Sequence, residues 1–158
     1  MLHTTMIVLH ATAAVVAFVA GFLALFPSRV EQQSPWFQVY LGSLGLMLVF
    51  LLGAMASHWQ RLSTAEQVIF GGLFLLGLYM GWRALSARAL LMGRSGQWRL
   101  PYMEHIGFTL IALWDGFVVV LAIDLGAPGW LAVVLAVLGV VVGNRALHRA
   151  EGRAGVLQ

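Results

Sequence analysis

The chain has 158 residues, of which 61% are hydrophobic and only 9% are charged. Soluble domains carry about 25% charged residues, so this composition excludes an ordinary soluble protein and indicates an integral membrane protein. The formal charge of +3 comes from arginines in short loops that form no continuous basic face, which argues against nucleic-acid binding. Cysteine and lysine are absent, which excludes disulfides, thiolate metal sites and a lysine Schiff base of the retinal type.

Five apolar runs follow one another along the chain, and each is long enough to cross roughly 30 Å of hydrocarbon as a helix. They cover about residues 6–26, 36–57, 64–84, 102–125 and 129–147, with Met92 as an alternative end of the third helix. Pro27 ends the first run, and Ser63 and Glu66 have the spacing of a capping box at the start of the third. We therefore predict an all-α, polytopic membrane helix bundle that forms a single domain over residues 1–158, with a short polar tail at 148–158.

The arginines lie almost entirely on one side of this topology. Five spans put the two termini on opposite sides, and only Arg61 then falls on the side of the N-terminus. The others share the side of the C-terminus: Arg29, Arg83, Arg88, Arg94, Arg99, Arg145, Arg149 and Arg153. The positive-inside rule predicts a cytoplasmic C-terminus and an external N-terminus. Arginine without lysine, with abundant alanine, leucine, valine and glycine, favours a GC-rich bacterial genome, so we expect a multi-pass protein of the bacterial inner membrane.

Three of the predicted helices carry small residues at the spacing that lets helices approach closely in lipid. The positions are Ala13, Ala17, Ala20, Gly21 and Ala24 in the first helix, Gly77 and Gly81 in the third, and Ala132, Ala136, Gly139 and Gly143 in the fifth. Packing between helices of one chain explains these stripes. The alternatives are a homodimer seam on the fifth helix and attachment to other membrane subunits.

The histidines form two candidate pairs, one near each membrane face. His10 and His58 fall on the outer side, and His105 and His148 fall on the inner side. Neutral imidazole is a ligand for haem iron, copper and zinc, and helix bundles hold such centres between facing helices. The pairs therefore predict sites for haem b or a transition metal, with His10 and His58 as metal ligands. His3 shares a helical face with His10 and would add a third ligand if the first helix begins early. Interfacial histidines that bind lipid or water are the alternative.

Asp115 lies inside the fourth predicted span, where a carboxyl group is costly unless it is neutralised, paired or hydrated. Glu104 lies eleven positions earlier and points in nearly the same direction on a helix. One helix face thus carries two carboxyl groups, which predicts a path for protons or cations. The alternative is a protonated Asp115 that binds a carbonyl or hydroxyl group of a neighbouring helix and serves as a structural clasp.

The other acidic residues of the spans lie at the predicted membrane boundaries. Glu104 is on the same side as Arg83 and Arg88, so an interfacial ion pair among them is expected. Asp124 and Glu66 fall at the outer boundary, where water reaches them. Charges are less costly at these positions than at the depth of Asp115.

Three segments resemble small bacterial inner-membrane proteins of four or five helices with scattered histidines. The segments are HATAAVVAFVAGFLALFP, YLGSLGLMLVFLLG, and the stretch from YMGWRA to HIGFTL. The first loop, PSRVEQQSP, lacks the His-Arg pair that such families often carry there. The histidine layout is also similar to that of the transmembrane b-type cytochromes. These resemblances imply a bacterial inner-membrane location, and no ligand residue follows from them.

No catalytic motif is present: there is no G-x-S-x-G, no phosphate-binding glycine loop with lysine, no H-E-x-x-H and no cysteine nucleophile. We therefore predict no catalytic residue, and whether the protein is an enzyme stays open. Three hypotheses remain. The first is a redox or metal-handling membrane protein that uses the histidine pairs, the second is a proton- or ion-conducting bundle centred on Asp115, and the third is a non-catalytic subunit of a larger membrane complex.

Overall fold

The computed structural model describes residues 2–25, 35–93 and 98–126, and nine residues between positions 131 and 145. Helix α1 is Leu2–Leu25, α2 is Pro35–His58, α3 is Thr64–Gly93 and α4 is Arg99–Asp124, with a 3-10 turn at Trp59–Arg61 between α2 and α3. The nine residues of the fifth segment are all helical. The described part of the chain contains no strand, which confirms the all-α prediction.

Four stretches are long and apolar enough to cross a membrane. They are Thr4–Leu25, Pro35–Arg61, Gln67–Gly93 and Arg99–Ala122. Large apolar side chains are exposed on each of the four helices, among them Val15, Val49, Leu75 and Phe117. Water would disfavour these surfaces and lipid would not, so the helices are those of an integral membrane protein. Most of the predicted first loop, PSRVEQQSP, and the tail at 148–158 lie outside the described residues.

Helix α3 continues nine residues beyond its predicted end at position 84. The added segment, LSARALLMG, is rich in alanine, leucine, arginine and methionine, which are strong helix formers, and the helix ends at Gly93. Its apolar pattern is interrupted by Ser86 and Arg88, and for that reason the hydropathy pattern alone predicts an earlier end. Helix α4 begins at Arg99, so Pro101 lies in its first turn, where a missing N–H group costs nothing.

The chain divides into two compact units, Met1–Leu85 and Ser86–Gln158. In the first unit α1 packs along α2. The predicted stripe of small residues on α1 is buried, with Ala17, Ala20 and Ala24 almost fully enclosed. Larger residues of α2, including Tyr40 and Leu44, supply the other side of this core. The stripe is thus used for packing inside the chain, as the sequence predicts.

Gln67 closes the turn between α2 and α3. Its Nε2 group donates hydrogen bonds to the carbonyl oxygens of Trp59, at 2.9 Å, and of Leu62, at 3.3 Å. The backbone N–H of Gln67 also donates to the carbonyl of Ser63, at 2.9 Å. Ser63 therefore stands immediately before α3, as predicted, while the side chain of Glu66 lies outside the described part of the structure. In this way one glutamine satisfies carbonyl groups of the 3-10 turn and of the residue that follows it.

In the second unit the buried side of α4 carries both large and polar residues. Tyr102 and Ile106 are fully enclosed, and so is Thr109, whose hydroxyl donates to the carbonyl of Ile106 at 2.8 Å. Trp98 meets Tyr102 edge to face, with ring centroids 6.1 Å apart. The division into two compact units does not test whether residues 1–158 form a single domain, so that statement stays a prediction.

Candidate functional site

Asp115 lies well inside the membrane-spanning stretch of α4. It follows Arg99 by sixteen residues and precedes Ala122 by seven, which places it about 24 Å and about 10 Å from the two ends at 1.5 Å per residue. Only 6% of its surface is exposed. Among the described residues, two polar side chains are buried, Thr109 and Asp115. Of these two, Asp115 is the one that can ionise.

Gly139 of the fifth segment makes room for this carboxyl group. A Cβ atom at Gly139 would overlap Oδ1 of Asp115 and would lie 2.9 Å from its Cγ, so the carboxyl rests directly against the glycine backbone. A Cβ atom at Gly143 would lie 2.6 Å from Cγ1 of Ile111. Since Ile111 and Asp115 are four residues apart, as are the two glycines, two neighbouring side chains of α4 fit against two glycines one turn apart. The predicted G-x-x-x-G spacing therefore serves a contact inside the chain.

The second carboxyl oxygen, Oδ2, is buried and has no hydrogen-bond partner among the residues that the structure describes. Almost all buried polar atoms in folded proteins have such a partner, because an unsatisfied one costs about 1–3 kcal/mol. An ionisable residue inside a membrane span is by default a functional-site hypothesis, and this oxygen makes Asp115 the candidate. The clasp interpretation requires a donor or acceptor for this oxygen, and the described residues supply none.

Glu104 and Asp115 are not brought together. Both lie on one face of α4, but eleven residues separate them by about 16 Å along the axis. Phe108 and Ile111 occupy that face between them, and neither side chain can relay a proton. Glu104 is exposed, whereas Asp115 is buried. The two carboxyl groups thus lie on the same face of α4, as predicted, but they differ in their exposure to solvent.

The predicted ion pair of Glu104 with Arg83 and Arg88 stays a prediction. The described contacts of Arg83 are with Tyr79, whose hydroxyl lies 3.5 Å from Nη1 and whose ring centroid lies 6.0 Å from the guanidinium carbon. Arg88 is exposed.

His10 joins α1 to α2. Its Nδ1–H donates to the carbonyl oxygen of Met47, at 2.9 Å. Met47 precedes His58 by eleven residues, or about 16 Å along α2. Two imidazole nitrogens on one tetrahedral zinc ion lie about 3.3 Å apart, so the geometry does not bring His10 and His58 together as ligands of one metal. The two histidines of the predicted outer pair lie apart because His10 is well inside α1, whereas His58 is the last residue of α2.

Of the predicted inner pair, His105 belongs to the described residues and His148 does not. His105 lines a cavity of about 390 Å³ at the start of α4. Over the described part of the chain, no three His, Asp or Glu side chains are grouped closely enough to hold a metal ion. The side chains of His3, Glu66 and Asp124 are likewise not described. No site for haem b or a transition metal is therefore supported by the described residues.

Two features of the site were not predicted from the sequence. The sequence indicates that Gly139 packs closely against a neighbour, but not that the neighbour is the carboxyl group of Asp115. The signal was available in the coincidence of two four-residue spacings, from Ile111 to Asp115 and from Gly139 to Gly143. The cavity beside His105 depends on the extension of α3 to Gly93, which the hydropathy pattern did not predict.

Comparison of the chain with protein-family models, with curated proteins and with solved structures finds no match, so the function rests on the geometry of these residues.

Proposed function

We propose that this protein is an inner-membrane protein of a bacterium that carries protons through the membrane by reversible protonation of Asp115. The observation that supports the proposal is the buried oxygen Oδ2, which has no partner among the described residues while Oδ1 rests against Gly139. A carboxyl group in that setting can gain or lose a proton without breaking a hydrogen bond to the described residues. Carboxyl groups of this kind form the proton relays of membrane pumps and transporters.

A proton suits the site better than a metal cation does. Calcium takes six to eight oxygen ligands and zinc takes four ligands, generally with nitrogen or sulfur among them. The described surroundings of Asp115 offer one carboxyl group, and no cluster of three metal-binding side chains occurs in the described residues. A single carboxyl group is sufficient to hold a single proton.

The experiment is proton flux into vesicles that contain the purified full-length protein, driven by a potassium diffusion potential and measured with an enclosed pH dye. Asp115→Asn keeps the shape of the side chain and removes the exchangeable proton, so flux is expected to fall on the order of a hundredfold. Glu104→Gln is the matched control, because it makes the same chemical change at an exposed position of α4. The proposal fails if Asp115→Asn conducts as well as the wild type.

Binding of haem or a transition metal is the second candidate, and one observation favours it. Because a carbonyl oxygen only accepts, the contact with Met47 fixes the proton of His10 on Nδ1 and leaves the lone pair of the neutral ring on Nε2. Metal-binding imidazoles use this arrangement. A ligand other than His58 must complete such a site, given the separation of the two residues. A Soret band or a stoichiometric metal that is lost in His10→Phe would support this function, and its absence after expression with haem and metals supplied would exclude it.

A further inference from the structure

A cavity of about 390 Å³ lies between the end of α3 and the beginning of α4, within the second compact unit. Ser86, Ala89 and Gly93 line it from α3, and Trp98, Pro101 and His105 line it from the other side. Its volume is in the range of small-molecule sites, which run from roughly 300 to 1,000 Å³. Ala89 and Gly93 keep it open because their side chains are small.

A cationic side chain lies next to the cavity, although it is not one of the lining residues. The guanidinium carbon of Arg99 lies 5.8 Å from the centre of the Trp98 ring, and that ring lines the cavity. Among the described lining residues, His105 carries the basic group and none carries a carboxylate. Glu104, the neighbour of His105 in sequence, is exposed. The chemistry of the site therefore favours an anionic ligand with an uncharged, partly apolar body.

The cavity also lies at a membrane boundary. Its lining residues are at the end of the membrane-spanning stretch Gln67–Gly93 and at the beginning of the stretch Arg99–Ala122. Phospholipid headgroups occupy this level of a bilayer. The distribution of arginines predicts that it is the cytoplasmic level, where anionic lipids attract basic residues.

We propose that this cavity binds the headgroup and glycerol backbone of an anionic phospholipid. In this proposal the guanidinium of Arg99 pairs with the phosphate, the indole N–H of Trp98 donates to it, and the space above Ala89 and Gly93 receives the glycerol. The acyl chains continue into the surrounding lipid. This site is separate from Asp115 and does not depend on the proton-carrying function.

The test is native mass spectrometry of the full-length protein in detergent, titrated with dioleoyl phosphatidylglycerol or with dioleoyl phosphatidylcholine. The two lipids have the same acyl chains, and only the first is anionic. Wild-type protein is expected to bind phosphatidylglycerol about fivefold more tightly, and Arg99→Gln is expected to remove that preference. Arg88→Gln is the matched control, since Arg88 is an exposed arginine of α3, whereas Arg99 lies against the Trp98 ring that lines the cavity; neither arginine is itself a lining residue.

A second pair of variants tests the cavity itself. Ala89→Phe fills it and is expected to abolish preferential binding of phosphatidylglycerol, whereas Met92→Phe places the same ring on an exposed position of α3 outside the cavity. Excess glycerol phosphate is not expected to displace the lipid, because the acyl chains contribute to binding; displacement would overturn the assignment to a lipid. Equal affinity of the wild type for the two lipids, or unchanged preference in both Arg99→Gln and Ala89→Phe, would also overturn the proposal.

Discussion

The carboxyl group of Asp115 occupies the space that a side chain at Gly139 would need. This relationship ties the most unusual residue of α4 to a glycine whose role would otherwise be only close packing of helices. One turn away, Ile111 and Gly143 repeat the relationship with an apolar side chain. The two contacts share their geometry and differ in chemistry, so each provides a control for the other.

Substitution of the two glycines separates packing from function. Gly139→Ala must displace the carboxyl group of Asp115, and Gly143→Ala must displace Ile111. Both changes overpack the contact, and each is expected to lower the free energy of unfolding by about 1–3 kcal/mol. Vesicle proton flux should fall in Gly139→Ala and remain near the wild-type value in Gly143→Ala. Equal loss of flux in both variants would mean that packing, and not the position of the carboxyl, controls transport.

The contact between α1 and α2 depends on small residues. Ala17 has no exposed surface, whereas Val15 is 56% exposed on the same helix. Ala17→Leu should force the helices apart and lower the free energy of unfolding by about 1–3 kcal/mol, measured by titration with sodium dodecyl sulfate in mixed micelles. Val15→Leu should leave it unchanged because the added methylene faces outward. A stable Ala17→Leu protein would contradict the described packing of α1 on α2.

His10 contributes a hydrogen bond between helices. His10→Phe retains a planar ring and removes the Nδ1–H donor, so the carbonyl of Met47 loses this partner. The free energy of unfolding is expected to fall by about 0.6 kcal/mol, the average for hydrogen bonds between membrane helices, and by no more than about 1.7 kcal/mol. Thr12→Val is the control, since the hydroxyl of Thr12 donates to Val8 within α1, at 2.8 Å. If both variants unfold alike, the bond from His10 does not stabilise the pair of helices.

The helices could be predicted from the sequence because a membrane span requires about 20 apolar residues, and that requirement is visible in composition alone. The buried stripe of α1 followed from the spacing of Ala13, Ala17, Ala20 and Ala24 for the same reason. The end of α3 did not follow from the pattern in this way, because Ser86 and Arg88 interrupt the hydropathy pattern without interrupting the helix.

The candidate site was predicted in part. A carboxyl group at the depth of Asp115 is unusual in any arrangement, so one sequence was sufficient to select it. The histidine pairs could not be judged from the sequence, because it does not give the depth of each side chain in the membrane. His10 and His58 are predicted on the same side. The contact of His10 with Met47 nevertheless places its ring about 16 Å from the level of His58. A shared helix face does not imply shared burial either: Glu104, which is predicted at a membrane boundary, is exposed, and Asp115 is buried.

The central claim is that the carboxyl group of Asp115 carries a proton and does not stabilise the fold. The most direct test is the free energy of unfolding of Asp115→Val, which removes every hydrogen-bonding atom of the side chain and adds no length against Gly139. Because Oδ2 has no partner among the described residues, we predict that Asp115→Val is at least as stable as the wild type. A loss of about 1–3 kcal/mol would instead show that the carboxyl is a structural clasp, and would contradict this account.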